Sequence, residues 1–190
     1  MNLNSKFKAL VFVLVSGLLT GCVAAVFTGA AVGLVYDRRS VSTMESDARL
    51  FHVIHTAIVT NRQFADSRIL VTSFNRVVLL VGQTPTASLR VLAEKIARDT
   101  PGVQRVYDEV SVGNPISLTQ RTKDSWITGQ VRSSMLAKKG LESGTIRIVT
   151  EDGVVYLMGI VTDQQSLLAV DVARRVDGVR KVVKIFQYIR

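Results

Sequence analysis

The residues able to do chemistry in this chain are few, and none of them form a reactive set. Cys22 is the single cysteine, so no internal disulfide can form. His52 and His55 are the two histidines, three residues apart, a spacing that one helix face could offer to a metal. No third ligand lies near them in sequence, so no metal is expected there and they read as partly exposed helix residues. No Ser-His-Asp or Cys-His grouping is available. Asp108-Glu109 and Glu151-Asp152 are adjacent acids, without the separation of an acid/base couple across a substrate. The glycines form no phosphate loop. The expectation is a non-catalytic protein without a cofactor. What remains is adhesion chemistry: Cys22 near the amino terminus, and Trp126, the one tryptophan, followed by Lys138-Lys139.

Cys22 sits where a leader would end. Lys6 and Lys8 precede an apolar run, Ala9 to Leu19, and then come Leu19-Thr20-Gly21-Cys22. A basic start, an apolar stretch of that length and small residues before a cut describe a secretory signal peptide, here residues 1–21. The last four residues resemble the bacterial lipobox, which implies acyl chains on Cys22. Each buried methylene contributes about 0.8 kcal/mol and one chain holds only marginally, so several chains would make a durable anchor. Val23 follows, where Asp favours inner-membrane retention in enterobacterial lipoproteins, so by analogy the outer membrane is expected. A second reading stands beside this one. Ala9 to Tyr36 is a 28-residue stretch broken only by Ser, Thr, Gly and Cys, long enough to span a bilayer as an uncleaved helix.

Beyond the leader the chain repeats itself. Ile146 to Gly159 overlays Ile69 to Gly82 at an offset of 77 residues (146 − 69), which also pairs Asp47 with Asp124. Past Gly82 the offset falls by one, and Gly178 lies over Gly102 (178 − 102 = 76). The repeat predicts two modules of about 65 to 70 residues, small enough that mutual docking would help their stability. Expected boundaries are a lipid-anchored tether over 22–46, modules over 47–112 and 124–190, and a linker over 113–123 holding Asn114-Pro115. In each module Asp47 or Asp124 is the expected N-cap of a first helix, carried to about Lys139 in copy two. Ile127, Val131 and Met135, like Leu50, Ile54 and Ile58, form its apolar stripe. A hairpin follows, turning at Asp152-Gly153 or Asn75-Arg76. Second helices are expected near Asp163 to Val176 and Thr86 to Asp99, closed by Gly178 and Gly102, and last strands over Val103 to Val112 and Val179 to Ile189. The order is αββαβ twice, an α+β chain of two tandem two-layer sandwiches after a lipoprotein signal peptide.

The helix, the Ile-x-Val-Thr hairpin with its Val-x-Leu-x-Gly return, and the closing Gly-Val strand resemble the BON domain. The resemblance covers Asp47 to Val112 and Asp124 to Arg190, and with the lipobox the whole chain is similar to dual-BON outer-membrane lipoproteins of the DolP type. It implies a non-catalytic protein on the periplasmic side of the outer membrane that binds phospholipid and supports the permeability barrier. Copy one departs from the pattern at Asn75-Arg76, where the turn glycine usually stands.

The formal charge of +9 falls to +7 without Lys6 and Lys8, from 22 basic (24 − 2) and 15 acidic residues. That excess suits anionic headgroups or an acidic protein, or serves solubility alone. No basic cluster interleaved with aromatics points to nucleic acid. At about 100° per residue, Trp126, Gln130, Ser133 and Ala137 fall on the face opposite the apolar stripe, with Gly129 beside them and Lys138-Lys139 at the end. An indole suits the headgroup boundary, and each lysine near an anionic surface contributes about 1 kcal/mol. Trp126, Gln130, Ser133, Ala137, Lys138 and Lys139 are the candidate lipid-binding set, for a membrane bearing anionic, phosphatidylglycerol-like phospholipid. Copy one carries Arg49 at the position of Trp126 and Asn61-Arg62 at that of the lysines. Two alternatives stand: Trp126 packs within the molecule, or the modules are adaptors docking on an envelope protein complex.

Overall fold

The computed structural model describes residues 37–189; the expected signal peptide, Cys22 and most of the expected tether lie outside them. Tyr36–Arg190 forms one compact unit. Each copy folds in the expected order. Copy one runs α1 (Val41–Val59), β1 (Arg68–Phe74), β2 (Val77–Thr84), α2 (Ala87–Asp99) and β3 (Arg105–Val112). Copy two runs α3 (Leu118–Ala137), β4 (Ile146–Glu151), β5 (Val154–Val161), α4 (Asp163–Ala173) and β6 (Lys181–Tyr188). Each sheet has its hairpin antiparallel and its last strand parallel to the middle one, in the orders β1-β2-β3 and β4-β5-β6. The step from an offset of 77 to 76 falls between β2 and α2, where Pro85-Thr86 stands against the single Thr162.

The first helices begin earlier than expected, which corrects two assignments. Ser40 and Ser117 are the N-caps; their hydroxyls accept from the backbone N–H of Thr43 and Gln120. Nothing between these serines and the repeated aspartates breaks a helix, so both helices run back through it. The last six residues of the expected linker, 118–123, and Val41 to Ser46 of the expected tether are therefore helical. Asp47 and Asp124 sit inside helices, 3% and 4% exposed. α3 ends at Ala137, with Lys138 its C-cap and Gly140 at φ 83° after it. α4 stops at Ala173, short of Val176.

Period-two alternation along the strands then divides the core into three. Val78 and Leu80 of β2 face α1 and α2, packing with Ile54, Ile58 and Ala93. Val155 and Leu157 of β5 face α3 and α4, packing with Ile127, Val131 and Met135. The other strand faces meet each other: Val77, Leu79 and Val81 pack with Tyr156, Met158 and Ile185. The two sandwiches are thus stacked sheet against sheet, helices outermost. The unbroken run Val77 to Val81 records this, since a strand buried on both faces cannot alternate with polar residues. At the rim of the layer Glu151, 4% exposed, accepts from Arg68 Nε at 3.2 Å and Gln83 Nε2 at 3.1 Å, tying copy two to copy one. Gly82, at φ 133°, lies where a Cβ would sit 1.9 Å from the Arg68 carbonyl oxygen; at its counterpart Gly159 the nearest atom, Thr145 O, would be 2.7 Å away. The repeated glycine is a close backbone approach in both hairpins.

Candidate functional site

The repeated aspartates are explained by the turns they hold. Asn75 and Arg76 lie at φ 49° and 62°, Asp152 and Gly153 at 49° and 70°, the left-handed pair of a tight hairpin. Such a turn leaves two N–H groups pointing inward. The Asp124 carboxylate accepts them from Asp152 at 2.7 Å and Gly153 at 2.8 Å. Asp47 does the same for Asn75 at 2.6 Å and Arg76 at 2.7 Å, and also receives Arg39 at 2.8 Å. Each first helix is thereby pinned across its hairpin, and this fixes what its outer face presents.

On α3 that face carries the expected residues. Trp126 is 53% exposed, while Ile127, Val131 and Met135 on the opposite side are buried. Gln130, Ser133, Ala137 and Lys139 are exposed and Lys138 is half-buried. From Trp126 to Ala137 the row extends about 16 Å at 1.5 Å per residue. Leu136, also exposed, adds apolar surface to the row that the sequence reading did not include. The adjacent Gly129 leaves open space, with nothing within 4 Å of where its Cβ would stand.

Beside Trp126 opens a cavity of about 460 Å³, lined among others by Lys123, Ile127, Gly153, Gly178 and Arg180. Gly178 at φ 85° keeps it open, since a Cβ there would come 3.1 Å from Ile127 Cδ1. Arg180 donates to the Asp152 carbonyl at 2.8 Å and pairs with the Asp152 carboxylate. Lys123 and Arg180 are balanced there by Asp152 and Asp177, so the positive excess of this face lies at Lys138 and Lys139. Sequence reasoning did not anticipate the cavity. Its one legible signal is the pair of Asp-Gly steps, 152–153 and 177–178, which the fold brings beneath Trp126.

The corresponding surface of copy one is ionic. Arg49 is exposed and 3.8 Å from Glu45, one turn away. Asn61 accepts from Gln63 N at 3.0 Å and starts a short 3-10 turn rather than extending the helix. His52 is exposed, and His55 stacks on Phe51 with centroids 5.2 Å apart. No grouping of three metal-ligating side chains occurs among the described residues.

The BON domain model matches residues 46–114 and 123–190. The chain is 37% identical over 174 residues to an outer membrane lipoprotein of Haemophilus influenzae, DolP, covering 90% of both chains. It is 35% identical over 155 residues to a 21 kDa hemolysin of Actinobacillus pleuropneumoniae, covering 81% of this chain and 80% of that one. To the osmotically-inducible protein Y of Escherichia coli it is 29% identical over 145 residues, covering 75% and 72%.

Proposed function

This chain belongs to the BON domain family, as a two-copy protein of the DolP type, and from that membership we propose that it is an outer-membrane lipoprotein whose second copy holds anionic phospholipid. In this reading Cys22 carries the acyl anchor, the two copies face the periplasm, and the outer face of α3 meets the headgroup layer. The protein supports envelope integrity by binding rather than by catalysis. The observation that carries the proposal is the exposed Trp126 on a helix whose inner stripe is buried. A half-exposed indole beside small residues can sit at the headgroup boundary, apolar ring inward and N–H toward water. Lys138 and Lys139 supply a Coulombic part that added salt screens.

The test is co-sedimentation of residues 37–190 with phosphatidylglycerol vesicles, and with phosphatidylcholine vesicles for comparison. Trp126→Glu keeps the fold, because the side chain is not in a core, and is expected to weaken binding about tenfold. A folded Trp126→Glu that binds as before removes this face from the site. Wild-type protein that stays in the supernatant favours an adaptor docking on an envelope protein.

A further inference from the structure

A second cleft lies away from the outer face of α3, where the segment before α1, the first turns of α1, β1 and β4 meet. Its volume is about 440 Å³, within the roughly 300–1,000 Å³ of small-ligand sites. One wall is apolar, built by Met44, Ala48, Phe51 and Val71, and the other presents Arg39 and Arg147. A smaller cavity beside it is lined by the same two arginines and by Arg132. Three guanidinium groups therefore converge on one rim.

They are not equally compensated. Arg39 is held by Asp37 at 2.7 Å and Asp47 at 2.8 Å, and lies 4.2 Å over the Phe74 ring. Those two carboxylates are thereby engaged, and Asp47 also serves the β1–β2 turn. Arg132 and Arg147 make no ion pair or side-chain hydrogen bond among the described residues. The sum over Asp37, Asp47, Arg39, Arg132 and Arg147 is +1. Desolvation, then repulsion from Arg39 and Arg132, holds the Arg147 guanidinium below the ordinary arginine pKa. An anion received there would relieve that repulsion and complete a bidentate contact that arginine is shaped to make.

The site also requires both copies. Arg147 is on the strand face that stacks against copy one; at the matching position copy one has Leu70, which joins the apolar layer. In copy two, Arg121 and Thr128 stand where Met44 and Phe51 form the apolar wall. Among the described residues this lining thus arises once, from the residues that differ between the repeats.

We propose that this cleft binds a phosphate-bearing, single-chain amphiphile, with Arg147 receiving the phosphate and the Met44–Phe51 wall the start of the chain. It is separate from the α3 face and stands without the function proposed for that face. Residues 37–190 are titrated with dodecyl phosphate below its micelle concentration, with inorganic phosphate, and with dodecyl maltoside, while backbone amide shifts are followed. Saturable shifts at Ala48 to Phe51 and Val71 to Ser73 are expected for dodecyl phosphate, at an affinity at least tenfold above that of inorganic phosphate. Arg147→Leu, which installs the residue of the other repeat, should lose at least tenfold in affinity, while Trp126→Glu should lose nothing. Equal binding of dodecyl maltoside, equal binding of inorganic phosphate, or undiminished binding by folded Arg147→Leu would each overturn the proposal.

Discussion

Copy one and copy two close their hairpins with backbone of the same shape and with side chains of different cost. In copy two the second turn position is Gly153, for which φ 70° is unstrained. In copy one it is Arg76 at φ 62°, a conformation that a side chain with a Cβ resists. The same carboxylate position, Asp47 or Asp124, holds both turns, but copy one recruits Arg39 from the segment before α1 as well. The comparison teaches that a module can keep its scaffold by repeating one buried acid while its outer surface changes from Arg49 to Trp126. The scaffold belongs to the repeat and the outer surface, with the binding proposed for it, to the difference.

The largest effect that separates the copies is expected at those acids. Asp47→Asn should destabilise by about 3–5 kcal/mol, because it turns an amide toward the turn N–H groups and leaves Arg39, its side chain 8% exposed, without one of its two anions. Asp124→Asn should cost about 1–3 kcal/mol, since its remaining partner is the neutral Gln120 amide, at 3.0 Å, which can rotate to suit. Urea unfolding of both variants measures the gap. Equal losses would show that Arg39 adds nothing to the turn of copy one.

How much of this was legible follows from which contacts are local. The hairpins and second helices could be read because turn residues and period-two runs act within a few residues. Gly102 and Gly178, expected to close those helices, instead sit in the turns Thr100–Val103 and Val176–Val179, beyond the C-caps Thr100 and Arg174. Asp47 and Asp124 were marked by the repeat, yet their role was misassigned to capping, because their partners lie 28 residues on, at Asn75 and Asp152. The unbroken apolar run Val77 to Val81 held a signal for a strand covered on both faces that the sequence reading left unused, and nothing in it names the covering sheet. The exposed face of α3 was legible from helical periodicity alone. Neither cavity was, since one needs the Gly178 loop under Trp126 and the other joins Arg39 to a residue 108 positions away (147 − 39).

A second contrast lies in the layer between the sheets, where Tyr156 occupies the position of Leu79. Tyr156 is 5% exposed, and burial first, then the charges of Glu109, Glu151 and Asp152, pushes its pKa from 10.0 to about 12. In the unfolded chain the phenol ionises near 10, whereas in the folded protein it keeps its proton to about 12. Across that window the folded state binds more protons, so stability falls as pH rises, by roughly 2–3 kcal/mol in full. Below pH 10 the group contributes no slope. Urea midpoints at pH 9 and pH 11.5 should therefore diverge in the wild type more than in Tyr156→Phe. Parallel behaviour of the two proteins would mean that the phenol ionises in place and that the sheet layer admits water.

The smallest effect tests the turn itself. Arg76→Gly removes the Cβ at φ 62° and keeps the N–H that Asp47 accepts, so strain is relieved without loss of a hydrogen bond. Relief of about 1–2 kcal/mol is partly offset by the greater freedom of glycine in the unfolded chain, leaving a gain of about 0.5–1 kcal/mol. The reciprocal change is expected to be unequal. Gly153→Ala places a Cβ 3.0 Å from Arg180 Nε and 3.1 Å from the Gly178 carbonyl oxygen, so crowding adds to strain. A loss of about 1–2 kcal/mol is expected there, read as a lower denaturant midpoint at unchanged slope. If Arg76→Gly instead destabilises, the arginine side chain is holding copy one together, and the two turns are alike only in backbone.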